Sequence, residues 1–413
     1  ALEIISENST SRSRMLYGLA LALEDRYKVN GDEQDQDESI ALYEEALGLT
    51  SKSSIIQLKM VNNLAFAFQD RYLRKKNEQE LDRSIAHYER ELGKIPETST
   101  IRSRMLSNLT YATQDWYQRR RNIQELKRSV TLFEEELSII PENSADYTMI
   151  LYSQALAFRD WYQLRGKEKY LEKSIQLFEK VLEKTPKNDN DRPRRLNSLA
   201  IALIDRYSLK STEQDVDKSI TLLEEALRTA SEESTDRTRC LISLAVALRE
   251  RYQLRGVEQD EDESLALFKR ALERTPEDAN DRPMYLNNLA IAMFNSYTRP
   301  GCYQNLDESI ALFQQALALT PEGHTDPPPY LYNLALALLQ KSRFRGNYKD
   351  LGISIALFQK ALALTQKGDI NRPLFLQGLA IARQNRYSLM SGKQDLENSI
   401  AFYEEALENL PDS

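Results

Sequence analysis

Residues 39–47 read Ser-Ile-Ala-Leu-Tyr-Glu-Glu-Ala-Leu, residues 264–272 read Ser-Leu-Ala-Leu-Phe-Lys-Arg-Ala-Leu, and residues 309–317 read Ser-Ile-Ala-Leu-Phe-Gln-Gln-Ala-Leu. These stretches are copies of one unit. Stepping by 45 residues from Ser39 lands on serine nine times, ending at Ser399. The same step gives alanine nine times from Ala22 to Ala382 and leucine nine times from Leu47 to Leu407. A self-similarity that runs gap-free through the chain is the signature of a stacked repeat architecture.

Leu16, Leu19, Ala20, Leu23 and Tyr27 fall on one face of a helix, and Ile40, Tyr43, Ala46 and Leu47 mark a second. Each unit is therefore expected to be a helical hairpin. Asp191, Asp281 and Asn371, each two residues before a proline, are expected to start first helices. Asp35, Asp260 and Asn305, each with Glu three residues on, are expected to cap second helices, and Pro96, Pro141, Pro186, Pro276 and Pro321 to stop them. One hairpin cannot bury both its apolar faces, so neighbours must stack.

Leu19-Ala20, then Ser39, Tyr43 and Ala46-Leu47, then a proline four residues after leucine as at Pro321, resembles the tetratricopeptide motif. The usual unit has about 34 residues; the extra length here falls in the first helix and in the turn before Asp35. The resemblance implies an all-α, right-handed α-solenoid (superhelix) of nine elongated tetratricopeptide-like hairpins, over about 11–55, 56–100, 101–145, 146–190, 191–235, 236–280, 281–325, 326–370 and 371–413, in a single repeat domain. Blocks such as Asp191-Arg-Pro-Arg-Arg-Leu-Asn-Ser-Leu-Ala are also similar to the repeat arrays of fungal proteins that carry a CHAT protease domain. Ala1-Leu2 sits one period before Ala46-Leu47, so residues 1–10 are expected to be the end of a truncated preceding repeat of a larger protein.

Hydrophobic residues make up 41% and charged residues 29%, with 13 Gly and 13 Pro, the profile of a helix-rich soluble chain. No apolar run is long enough to span a membrane, and the two cysteines favour a reducing, cytoplasmic setting. A net charge of −8 argues against nucleic acid as the main partner. His87 and His324 are remote in the repeat register from each other and from any metal-ligand spacing, so neither enzyme activity nor a cofactor or metal is expected. The repeated serines are expected to sit where paired helices meet, bonded back to a helix carbonyl.

Specificity has to lie where the units differ. Opposite the apolar stripe, four rows through Arg14, Gly18, Leu21 and Asp25 are expected, by the resemblance, to line a concave groove. They bring together Lys59, Asn63, Phe66 and Asp70 in repeat 2, Arg104, Asn108, Tyr111 and Asp115 in repeat 3, and Arg194, Asn288 and Asn333 further on. The family's peptide-contacting asparagine matches Asn63, Asn108, Asn288 and Asn333. Trp116 and Trp161 replace an arginine found at Arg26, Arg71, Arg206, Arg251 and Arg386, and are expected either in a binding hot spot or in packing. With the basic turns at Arg74-Lys75-Lys76 and Arg119-Arg120-Arg121, they place binding in repeats 2 to 4. The function expected is recognition of a protein or peptide; the alternative is an architectural spacer without a groove ligand.

Overall fold

A computed structural model describes residues 10–50, 55–75, 77–93, 95, 100–120, 123–320, 327–365, 369 and 371–409. The N-terminal half-repeat with Leu2 and Ile5, together with Lys76, Pro96, Arg121, Pro321 and His324, lies outside them. Among the described residues every regular element is a helix, eighteen in all. They alternate as first and second helices of the nine hairpins: α1 (Thr10–Asn30), α2 (Glu33–Gly48), α3 (Ile55–Lys75), α4 (Glu78–Leu92), α5 (Thr100–Arg120), α6 (Ile123–Ile139), α7 (Ala145–Arg165), α8 (Glu168–Lys184) and α9 (Arg192–Lys210). The rest are α10 (Glu213–Thr229), α11 (Thr235–Arg255), α12 (Glu258–Glu273), α13 (Arg282–Ser296), α14 (Asn305–Leu319), α15 (Pro327–Arg345), α16 (Tyr348–Ala363), α17 (Arg372–Met390) and α18 (Lys393–Glu408). The chain forms two compact units, Ala1–Ala157 and Phe158–Ser413.

Within each unit a hairpin packs on the next through the invariant positions. Ala67, Ala112, Ala202, Ala247, Ala292, Ala337 and Ala382 are all almost fully buried, whereas Ala22 is exposed. Leu19 is likewise exposed where Leu64, Leu109 and Leu199 are not. Both belong to the first hairpin, so these positions face the hairpin before. The aromatic ring at Tyr43, Tyr88, Phe133, Phe178, Phe268, Phe313 and Phe358 fills the interior, and each such burial stabilises by about 2–3 kcal/mol relative to exposure. Six of the serines behave as expected, while the buried hydroxyls of Ser84 and Ser129 meet no hydrogen-bond partner among the described residues. Ser264, Ser354 and Ser399 donate to carbonyls of Ala245, Ala335 and Ala380 on the paired helix. Ser39, Ser219 and Ser309 donate to the carbonyl three residues back.

Second helices begin earlier than the sequence suggested. Asp32, Asn77 and Asn347 are the residues that cap α2, α4 and α16, each accepting from the amide two residues on. Asp35 and Asp260 lie inside α2 and α12, and Asn305 is the first residue of α14. The two aspartates are buried and accept instead from Arg26 and Arg251 of the paired first helix, at 2.7 and 2.8 Å. A carboxylate–guanidinium pair outcompetes a local cap because both oxygens are satisfied at once. Asp191, Asp281 and Asn371 do precede α9, α13 and α17, with proline in the first turn, but none caps through its side chain. Pro141, Pro186 and Pro276 follow the ends of α6, α8 and α12.

A device not foreseen closes the second helices. Arg102 donates to the carbonyls of Leu92 and Ile95, Arg237 to Leu227 and Ala230, and Arg282 to Leu272 and Thr275. These arginines, in the first turn of the following helix, satisfy carbonyls that a helix end leaves without partners. Their signal was present in the sequence, since stepping by 45 from Arg12 gives arginine at 102, 192, 237, 282 and 372.

Candidate binding surface

In the first unit α3 and α5 touch directly. Lys59 and Arg104 occupy equivalent places on them, and both side chains are exposed. Neither makes an ion pair among the described residues. Phe66 is 43% exposed, and Tyr111 is half-buried, its hydroxyl pKa raised by burial and then by the nearby Glu136. Trp116 is half-buried against the apolar interior formed by α3 to α6.

The polar groups between these residues are engaged by the stack. Asn63 donates its amide to the Tyr17 hydroxyl at 3.2 Å, and Asn108 donates to the Asn62 side-chain oxygen at 3.0 Å. Asp70 accepts from Gln36 at 2.6 Å and Asp115 from Gln69 at 3.3 Å. Each bond joins one repeat to the one before. The partners Asn62, an acceptor, and Gln36, a donor, were not singled out from the sequence, because they belong to no single invariant row.

The second unit repeats the pattern with different chemistry. Asn333 donates to Asn287 at 3.0 Å, and Asp205 accepts from Arg159 at 2.7 Å. Asn288 is half-buried without a hydrogen bond among the described residues. Arg194 lies 3.3 Å from Asp191, and Arg239 lies 3.5 Å from Asp281. The acidic row thus pairs with the preceding hairpin, Asp70 with Gln36 of its second helix and Asp115 and Asp205 with Gln69 and Arg159 of its first helix, and none of these partners belongs to the Arg26 row. That row has its own partner within each hairpin: Arg26 with Asp35, Arg71 with Glu80, Arg206 with Asp215, Arg251 with Asp260 and Arg386 with Asp395.

Trp161 takes the arginine's place and Tyr170 the carboxylate's, and the two rings stack at 4.3 Å and 10°. Three hairpins further along, Ser296 and Asn305 hold the same two positions and hydrogen-bond at 2.7 Å. In these two hairpins both positions change, to an aromatic stack or a neutral hydrogen bond, whereas Trp116 keeps a carboxylate, Glu125, at the second position. Trp161 is a packing partner here.

Cys240 is buried in α11 and its thiol is pushed up to about 12 by burial, which keeps it protonated and unreactive. Among the described residues no group of His, Cys, Asp and Glu side chains is placed to hold a metal, and no helix is long and apolar enough to cross a membrane.

A tetratricopeptide repeat family model matches residues 14–52, the span of α1 and α2. IFIT1, solved as a monomeric mutant with Gppp-AAAA, aligns over 98% of this chain and 78% of its own at 17% identity and a TM-score of 0.52. The apo form of the quorum sensor NprR from B. thuringiensis aligns over 94% of this chain and 97% of its own, at 14% identity and a TM-score of 0.52. No curated protein matches the chain. These likenesses concern the fold and leave the resemblance to CHAT-associated arrays aside. Because a protein of this fold has been solved with Gppp-AAAA, the expectation that nucleic acid is no partner finds no support in the comparisons. Hairpin pattern, matched repeat and structural neighbours agree that this chain is an array of tetratricopeptide-like repeats of the all-α solenoid class.

Proposed function

We propose that the protein is a recognition array for a protein or peptide, and that the first unit binds through the exposed strip of α3 and α5. One observation carries this reading: Lys59 and Arg104, one repeat apart on touching helices, are exposed and free of ion pairs while flanking Phe66 and Tyr111. Cations left unpaired beside accessible aromatics favour a partner with carboxylates and apolar side chains. Consecutive first helices touch more than consecutive second helices do, which supports placing the strip on the inner side of each stack. The free cysteines Cys240 and Cys302 support a cytoplasmic setting.

A second reading, an architectural spacer, is favoured by the hydrogen bonds that already occupy Asn63, Asn108 and Asn333. Capture of peptides on the protein, followed by calorimetric titration of those recovered against Lys59→Glu/Arg104→Glu, separates the two. Recognition requires a loss of at least about tenfold in affinity, mostly as slower association that is more marked at low salt. Unchanged affinity in the charge-reversed variant removes the strip from the binding surface.

A further inference from the structure

In the second unit the edge formed by the hairpin turns is held together by ion pairs from one repeat to the next. Glu168 pairs with Lys210, Glu213 with Arg255 at 3.7 Å, and Glu258 with Arg299 at 3.7 Å. The acidic partner stands at the first turn of a second helix and the basic one near the end of the next first helix. In the following step Tyr303 takes the place of the glutamate and Phe344 that of Arg299, and their rings stack at 6.1 Å and 18°. The place of Phe344 holds Leu209 and Leu254 in earlier repeats, whereas the place of Lys210 and Arg255 keeps a cation, Arg345, which pairs with Asp307 at 2.6 Å. One repeat later the equivalent positions are Tyr348 and Leu389, with Met390 beside the latter.

Stacking has not hidden these side chains. Tyr303 is 55% exposed, Phe344 63%, Tyr348 53%, Leu389 49% and Met390 58%. Exposed rings gathered at one end of an edge that ion pairs otherwise hold have been left open to contact. The rim is cationic: Arg343 and Lys349 flank the aromatic residues, both are exposed, and neither makes an ion pair among the described residues. Lys393 is exposed and among the described residues pairs only with Glu397, at 3.6 Å.

We propose that this turn edge, Tyr303, Phe344, Tyr348 and Leu389 rimmed by Arg343 and Lys349, docks an acidic amphipathic peptide of a partner protein, one in which Asp or Glu alternates with Leu or Phe. Apolar side chains of such a segment cover the rings, and its carboxylates meet the rim. A second copy of this chain fits less well, because an isologous contact here sets two cationic rims against each other. An anionic membrane is disfavoured by the carboxylates of Glu213 and Glu258 along the same edge, which that surface would repel.

The test uses the full chain and a fluorescein-labelled twelve-residue peptide of alternating Asp/Glu and Leu/Phe, read by anisotropy. Tyr303→Glu/Phe344→Arg writes into this step the ion pair already present at Glu258 and Arg299, so the fold is preserved, as an unchanged circular-dichroism melt checks. Saturable binding to the unaltered chain, weakened ~10-fold or more by that exchange and by the surface variant Arg343→Glu/Lys349→Glu, supports the proposal. Absence of binding to the unaltered chain, or equal binding by the exchange variant, overturns it. Phe344-dependent dimerisation in sedimentation, or binding only to phosphatidylserine vesicles or to single-stranded RNA, overturns it as well by assigning the edge another occupant.

Discussion

Three residues after the buried ring of the second helix, or after Leu223 in its place, the first unit has Ala46, Glu91 and Glu136, while the second unit has Val181, Ala226, Ala271, Ala316 and Ala361. All of them are buried. A methyl or isopropyl group there packs without further demand, but a carboxylate must find partners or a proton. Glu91 is met by Arg90 at 2.9 Å. Among the described residues Glu136 is met only by the Ser107 hydroxyl and lies near Asp146, and burial pushes its pKa up to about 7. The basic row differs too: Lys59 and Arg104 stand alone in the first unit, whereas Arg194 and Arg239 have acidic neighbours in the second. One repeat frame thus carries buried carboxylates and unpaired cations at these two rows in one unit, and apolar side chains and paired arginines at the same rows in the other. The invariant positions define the stack, and the variable ones decide its stability and its surface.

The largest expected effect tests the frame itself. Ala202→Leu in the second unit should overpack the contact between hairpins and cost about 3 kcal/mol in a denaturant melt, whereas Ala22→Leu, at an exposed position, should cost close to nothing. Equal midpoints for the two variants would show that the alanines are not the contact. Next in size, Arg206→Ala strips the guanidinium from buried Asp215 and should destabilise by about 2 kcal/mol. The paired change Arg206→Trp/Asp215→Tyr should recover most of that loss, because Trp161 and Tyr170 already use this combination. No recovery would make the aromatic pair specific to its own hairpin.

A smaller effect separates the interiors. The raised pKa of Glu136 means that the folded state holds a proton the unfolded chain releases near 4.5. Stability from this group is full below that value and is lost as pH rises through about 7. Glu136→Gln should therefore stabilise the first unit at pH 8, on the order of 1–2 kcal/mol, and do little at pH 5. A pH-independent gain in thermal midpoint would point to packing instead. The smallest effect has the opposite sign. Hydrogen bonds from Arg26 and Arg386 hold Asp35 and Asp395 below the usual carboxylate value of 3.8. Their contribution is present at neutral pH and is lost as pH falls below that value. Asp395→Asn should flatten the acid limb of the stability curve, and an unchanged acid limb would show that the pair adds nothing.

The period of 45, the two helices per unit, the buried alanines and the back-bonded serines were all legible in the sequence, because each depends on what recurs. The helix-ending arginines could have been read by the same stepping from Arg12. The role of Asp35 could not: a carboxylate near a helix start looks like a cap until the distance to Arg26 on the paired helix is known. The candidate strip divides in the same way. Sequence periodicity placed Lys59, Asn63, Phe66 and Asp70 on one face of one helix, since an angle of 100° per residue is a property of a single helix. Whether the Asn108 amide meets a ligand or the Asn62 oxygen of the preceding repeat depends on the offset between stacked helices. That offset is set by how bulky residues such as Leu106 and Tyr88 fill the space between hairpins, and so by tertiary packing alone.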